Sequence, residues 1–279
     1  MRILSFDTTN NSVSIALLDC EKIVSQRLFR ATGSERQESV TLLLPAVDEM
    51  LEEARWKKSD LQLLVVGIGP GSFTGIRIGV VTARTLAQAL NLPLVGVSLL
   101  DSYAAMLLES SPDLAEFAVV LSGGRGHFYF AAYRNGLCQP EQEVSEQTRI
   151  IEVVKAQHGN LPEMNAALAC NKTWAVETPL VEALAGEAKS TDRNLVELPL
   201  LANIAAFQGG LALKRISDSK SSCSNSLASL AVSEENERDH NHLKESLLVE
   251  YPYRLVEPLY LRGASVTLKG NDGKATATN

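Results

Sequence analysis

Two stretches of the chain combine residue types that could bind a phosphorylated ligand. The first is Asp7-Thr8-Thr9, which closes the apolar run 2–6. A carboxylate at a strand end, followed by small hydroxyl side chains, can hold a divalent metal and phosphate oxygens. The same residues also form ordinary Asx turns with the local backbone. The second stretch is Gly69-Pro70-Gly71-Ser72-Phe73-Thr74-Gly75, which opens a helical pattern. The free N–H groups and dipole of a helix N-terminus favour an anion. This is not a Walker A loop, because no Lys-Ser/Thr follows the last glycine. Nor is it the dinucleotide fingerprint, because three residues rather than two separate Gly71 and Gly75. Two uses stay open: phosphate contact by Asp7, Thr8, Gly71 and Ser72, or a tight turn where glycine lets two backbones approach.

Other chemistries lack their residues. The histidines are His127, His158, His240 and His242, and no His-x-x-x-His pair falls on a predicted helix. A metallopeptidase reading fails for want of ligands. No Gly-x-Ser-x-Gly elbow marks a nucleophile. Cys20, Cys138, Cys170 and Cys223 include no Cys-x-x-Cys spacing, which reads as free thiols in a reducing compartment. Later in the chain, Ser122-Gly123-Gly124-Arg125-Gly126 forms a second glycine-rich turn. Ser122 stands where an acid would mirror Asp7, which weakens the case for a two-domain phosphotransferase. The sequence therefore nominates no catalytic residue and no metal ligand.

The elements that must position these residues follow from hydrophobic patterning. Residues 2–6, 12–19 and 22–29 read as a β-meander. The helical period over 35–56 puts Leu43, Val47 and Met50 on one stripe, with Pro45 expected to kink it. A buried strand over 61–69 leads into the glycine loop. In the helix over 76–90, small residues recur every four positions, as Gly75, Gly79, Ala83 and Ala87. That stripe suits close helix packing, either on the chain's own sheet or on a second subunit. A strand over 93–98 and a helix over 99–110 follow. The strand–turn–strand pattern restarts at 116–136, which suggests a duplicated α/β unit. Residues 148–158 read as helix, 160–170 as running into a strand, and 200–216 as a helix weakened by Gly209 and Gly210.

Organisation follows from these elements. Residues 1–110 form a first half and 111–216 a second. Residues 217–248, Ser-rich and then charged, read as a disordered insertion. Order resumes over 249–263, and 264–279 reads as a flexible tail. The chain has 279 residues, 45% hydrophobic and 21% charged, with a net charge of −7. An acidic chain is not built for bulk electrostatic binding of nucleic acid. No signal peptide is evident at the N-terminus, and no run approaches the ~20 apolar residues of a membrane span. The expectation is a cytoplasmic protein, or a stromal one after transit-peptide removal, with no membrane partner.

Four pieces, in order, carry a family resemblance: MRILSFDTTNNSVSIALLD, GIGPGSFTGIRIGVVTARTLA, PLVGVSLLD and EPLYLR. Together they resemble the bacterial TsaB (YeaZ) family, closely over 1–136 and loosely over 200–263. The resemblance implies an α/β actin-like (ASKHA) fold made of two tandem RNase H-like halves. It implies a role in making N6-threonylcarbamoyladenosine (t6A) in tRNA, as the non-catalytic paralogue of a TsaD-like subunit that carries the metal and transfers the threonylcarbamoyl group. It implies pairing with that TsaD-like subunit, association with a TsaE-like ATPase, and contact with tRNA only through the complex. On this view the helices over 35–56 and 76–90 form the pairing face, with Leu43, Val47, Met50, Gly75, Gly79, Ala83 and Ala87 as interface residues. A homodimer through the same helices is expected when the partner is absent. The chain would need no cofactor of its own, with ATP or ADP placed at most at the subunit interface. The alternative is an actin-fold ATPase or phosphotransferase acting alone through Asp7 and the 69–75 loop. Where many family members have an Asp-Ala-Arg-like turn, this chain has Ser122-Gly123-Gly124.

Overall fold

A computed structural model describes residues 1–10, 12–30, 41–136, 150–198, 203–221 and 245–261. The first half begins with strands β1 (Arg2–Asp7), β2 (Ser12–Asp19) and β3 (Lys22–Arg30), then helix α1 (Leu43–Glu53) and β4 (Leu63–Gly69). Helix α2 (Phe73–Leu90), β5 (Leu94–Ser98) and α3 (Leu99–Ser110) follow. The second half contains β6 (Glu116–Gly124), β7 (His127–Asn135), β8 (Ile150–Asn160), α4 (Leu161–Ala167), β9 (Thr173–Val176), α5 (Thr178–Ser190) and β10 (Asn194–Glu197). Helix α6 (Ile204–Ser221) and a short 3-10 turn (Tyr253–Leu255) complete the described elements.

Two five-stranded sheets share one topology. The first has order β3-β2-β1-β4-β5, and the second has order β10-β9-β6-β7-β8. Read from its other edge, the second is β8-β7-β6-β9-β10, the same order shifted by five strands. In each sheet the first three strands pair antiparallel and the remaining pairings are parallel. This repeat confirms the duplication read from the strand–turn–strand pattern.

Helices fill both faces of both sheets. Helices α1 and α2 cover one face of sheet 1, burying Leu43, Val47, Met50, Ala83 and Ala87 against Leu4, Phe6, Ile15 and Val66. Helix α6 covers the other face through Ala205, Ala212 and Ile216 against Ile3, Ala16, Leu63 and Val65. Helix α3 lies on sheet 2 with Leu100, Ala104 and Leu107 against Phe117, Leu121 and Tyr133. Helices α4 and α5 close the far face around Trp174. Helices α3 and α6 touch each other, so they form the layer between the sheets.

Several expectations change. Helix α1 starts at Leu43 with Pro45 as its third residue, where the missing N–H has no intrahelical acceptor to lose; the kink expected at Pro45 involves residues 35–40, which lie outside the described residues. Residues 150–160 are strand, not helix. The β-branched run Ile150, Ile151, Val153, Val154 pairs antiparallel with β7. Residues 161–167 are helix, not the approach to a strand. Asn160 and Glu163 cap each other's backbone, and Pro162 sits in the first turn. Helix α6, placed by sequence in the second half, packs on the first sheet. Its Gly209 is a place of close approach, since a side chain there would press on Leu18 and Ser5. The helix runs on to Ser221 and 245–250 is helical again. The rest of the proposed insertion (222–244) and the tail lie outside the described residues.

Candidate functional site

The carboxyl ends of β1 and β4 bring the two chemistry-bearing stretches together. Asp7 ends β1 and is 1% exposed. One carboxylate oxygen accepts the Thr9 N–H at 2.7 Å and the Thr9 hydroxyl at 2.6 Å. The other accepts the Gln208 amide from α6 at 2.8 Å. Burial pushes the Asp7 carboxyl above its usual range, against the pull of those three donors. The Thr8 hydroxyl donates to the Gly75 carbonyl at 2.7 Å, and the Ser72 N–H to the Thr9 carbonyl at 2.7 Å. Ser72 caps α2, its hydroxyl accepting from the Gly75 N–H at 3.3 Å.

Glycine makes this contact possible. Gly67, Gly71, Gly75 and Gly79 all face the Asp7–Thr9 segment. A methyl group at these positions would overlap the Asp7 carboxylate, the Thr9 carbonyl, the Thr8 carbonyl and the Thr8 hydroxyl, respectively. The four nominated phosphate contacts, Asp7, Thr8, Gly71 and Ser72, thus meet as expected, but their polar groups are turned on one another. The geometry shows the close backbone approach that glycine permits here.

The small-residue stripe resolves the same way. All seven residues nominated for a partner interface (Leu43, Val47, Met50, Gly75, Gly79, Ala83 and Ala87) are buried within this chain. They cannot be its exposed docking surface. Periodicity identifies the side of a helix that packs, and here that side packs on the chain's own sheet. The outward sides of the same helices carry apolar residues in water: Leu42 and Leu44 at α1, and Val81 of α2, which is 63% exposed.

The second half offers a different set of groups. Ser122 is the first exposed residue after the buried run of β6, and its N–H donates to Glu177 at 2.7 Å. Burial raises the Glu177 carboxyl above its usual range, partly offset by that bond. Tyr103 of α3 is pushed up to about 12, by burial first and then by the charges of Glu177 and Asp7. Sequence reading found Ser122 but missed Glu177, Tyr103 and Gln208. Glu177 had a signal, an acid at a strand end before the Thr-Pro start of a helix. It follows β9, the strand beside the one that mirrors β1. Gln208 is 201 positions from Asp7 and had none. His127 and His158 stack at 5.0 Å, on a strand pair rather than a helix. Among the described residues no three of His, Cys, Asp and Glu gather to hold a metal, and no helix is long and apolar enough to cross a membrane.

Two repeated five-stranded halves, with a pair of crossing helices between them and both chemistry-bearing turns at strand carboxyl ends, define an α/β protein of the actin-like class with RNase H-like halves. The family model described as TsaD: tRNA N6-adenosine threonylcarbamoyltransferase matches residues 34–262, and the chain belongs to this family. Several of the curated relatives it matches are TsaB proteins. It is 35% identical to the tRNA threonylcarbamoyladenosine biosynthesis protein TsaB of Bacillus subtilis, over 52% of this chain and 62% of that one. It is 32% identical to TsaB of Escherichia coli, over 51% and 60%. The match therefore spans about three fifths of the relatives' length. A Pseudomonas aeruginosa structure described as similar to peptidase YEAZ superposes with a TM-score of 0.58 at 21% identity, over 94% of this chain and 99% of that one. YeaZ from the same organism gives 0.55 at 22%, over 79% and 93%.

Proposed function

We propose that this chain is a docking and activating subunit in t6A formation, not an enzyme by itself. It would pair with a TsaD-like catalytic subunit, with a TsaE-like ATPase joining the pair and tRNA met through the complex. The observation that carries this reading is the closure of the Asp7 turn. The Asp7 carboxylate bonds to Thr9 and Gln208, and the Asp7–Thr9 segment packs against four glycines, so these polar groups are engaged within the chain. In this reading the chain needs no cofactor of its own, and ATP or ADP would belong to the subunit interface.

The docking face in this reading is the outward side of α1 and α2, with Leu42, Leu44 and Val81 exposed. Covering such residues is favourable at roughly 25 cal/mol per Å² of apolar surface. In the absence of the partner the same face would serve a homodimer.

The test is size-exclusion chromatography with light scattering, on this chain alone and with the TsaD-like protein of its organism. Fractions are assayed for tRNA modification. A one-to-one complex that modifies tRNA, where neither protein does alone, is expected. Val81→Glu and Leu44→Glu should weaken pairing at least tenfold while leaving the fold intact. Mg-ATP turnover by the isolated chain, lost in Asp7→Asn, would favour the phosphotransferase alternative.

A further inference from the structure

Helices α3 and α6 meet between the two sheets: α6 lies on sheet 1, and α3 lies on sheet 2 while its Ala105 also reaches the sheet 1 cluster with Val95 and Val97. Any change in the angle between the halves must slide these helices past one another. Their apolar contact mixes small and large side chains: Ala105 of α3 joins the cluster of Ala205 and Ala212 of α6, and Ile204 of α6 joins that of Leu100 and Leu107 of α3. Apolar attraction is non-directional, so a directed polar bond adds register to such a contact.

One polar group does. Asp101, in the first turn of α3, accepts the Tyr133 hydroxyl at 2.9 Å on one oxygen and Arg215 at 2.8 Å on the other. Tyr133 comes from β7 and is 1% exposed, inside the core of the second half. Arg215 comes from α6, anchored on the first half. Both oxygens of one carboxylate are thus engaged by groups from opposite halves. Sliding α6 over α3 breaks the bond to Arg215, and tilting α3 off sheet 2 breaks the bond to the buried phenol. A second pair, Lys214–Glu109 at 2.7 Å, joins the same helices at the surface, with both side chains about half exposed.

We infer that Asp101 is a latch that fixes the angle between the halves, so that the chain is one rigid body and not a clamp that opens and closes on a ligand. Asp101 is a positioning residue here. The inference does not depend on any partner, and it is tested on the full chain by itself.

The experiment places spin labels on Glu52→Cys of α1 and Glu182→Cys of α5, with the native cysteines replaced by serine, mixes the labelled chain into excess unlabelled chain so that only distances within one chain are read, and measures the distance distribution by pulsed electron resonance. The otherwise wild-type chain gives one narrow distance that Mg-ATP does not shift. Asp101→Ala and Tyr133→Phe broaden it, with far-UV circular dichroism and the protection of core amides retained. Lys214→Ala leaves it narrow. A wild-type distribution that is already broad or that moves with Mg-ATP overturns the inference. So do an unchanged distribution in both latch variants and a broadening by Lys214→Ala equal to that of Asp101→Ala. If Asp101→Ala fails to fold, Tyr133→Phe, which removes one oxygen atom, decides alone.

Discussion

The two halves use glycine for opposite purposes and at different turns, after β4 in the first and between β6 and β7 in the second. At the end of β1 and β4 the glycines make room, because Asp7, Thr8 and Thr9 fill every space a side chain would take. At the end of β6, Gly124 and Gly126 have no neighbour within 4 Å of a would-be side chain. There glycine supplies backbone freedom, with φ of 75° and 76° on either side of Arg125. The acid is also placed differently. Asp7 ends the central strand of its sheet and bonds across to α6, whereas Glu177 follows the neighbouring strand and bonds to a backbone N–H. One turn is solid and the other open, although the topology is the same.

The sharpest test of this contrast is Gly75→Ala. The methyl group would overlap the Thr8 backbone, which has nowhere to retreat. A loss of at least the ~1–3 kcal/mol typical of overpacked cores is expected in urea unfolding. A loss below about 0.5 kcal/mol would show that the first turn is not solid.

Asp7 comes next. Asp7→Ala strands the Thr9 and Gln208 donors in the interior, at about 1–3 kcal/mol for each unmet group. Asp7→Asn should fare far better at neutral pH. Gln208 can turn its amide and offer the Oε1 that now lacks a partner. The pH dependence separates the two states of the site. The folded-state pKa of Asp7 lies above the unfolded value of about 3.9. The native chain therefore holds more protons in that window, and stability falls as pH rises through it, then levels off. Unfolding measured across pH should show this fall in the wild type and a smaller one in Asp7→Asn. A stability rising with pH from the same group would mean that a cation compensates the carboxylate.

The smallest effect is expected at Gly124→Ala. It meets no neighbour and loses only the ease of the left-handed backbone, about 1–2 kcal/mol. If its cost matched that of Gly75→Ala, the contrast between the turns would fail.

Much of the fold was legible. The meander, the buried β4 strand and the glycine-opened helix were visible because their periods are long and unbroken. The region 148–170 was misread because its strand alternates weakly and its helix is short. Its start signal, Asn160-Leu161-Pro162-Glu163, is local capping chemistry that a periodicity search passes over. The candidate site was legible as segments only. Asp7 and the glycine loop stand out in sequence, but whether their polar groups point outward or at each other depends on β1 and β4 lying side by side. Gln208 enters from far along the chain. The stripe on α2 was seen correctly and assigned to the wrong neighbour, because spacing reports that a face is covered and not by what.

The return of α6 to the first sheet has a consequence for how the molecule is made. Sheet 1 is complete in its strands by residue 98, yet one of its faces, met by α3 through Ala105, stays largely uncovered until Ala205, Ala212 and Ile216 arrive. The final described stretch then adds Tyr251, whose carbonyl meets the Leu94 N–H, and Leu259, whose N–H meets Ile68. The half synthesised first is therefore finished last. A nascent chain carries an exposed aliphatic sheet through most of its synthesis, so residues 1–110 alone are a sticky intermediate and not a miniature of the protein.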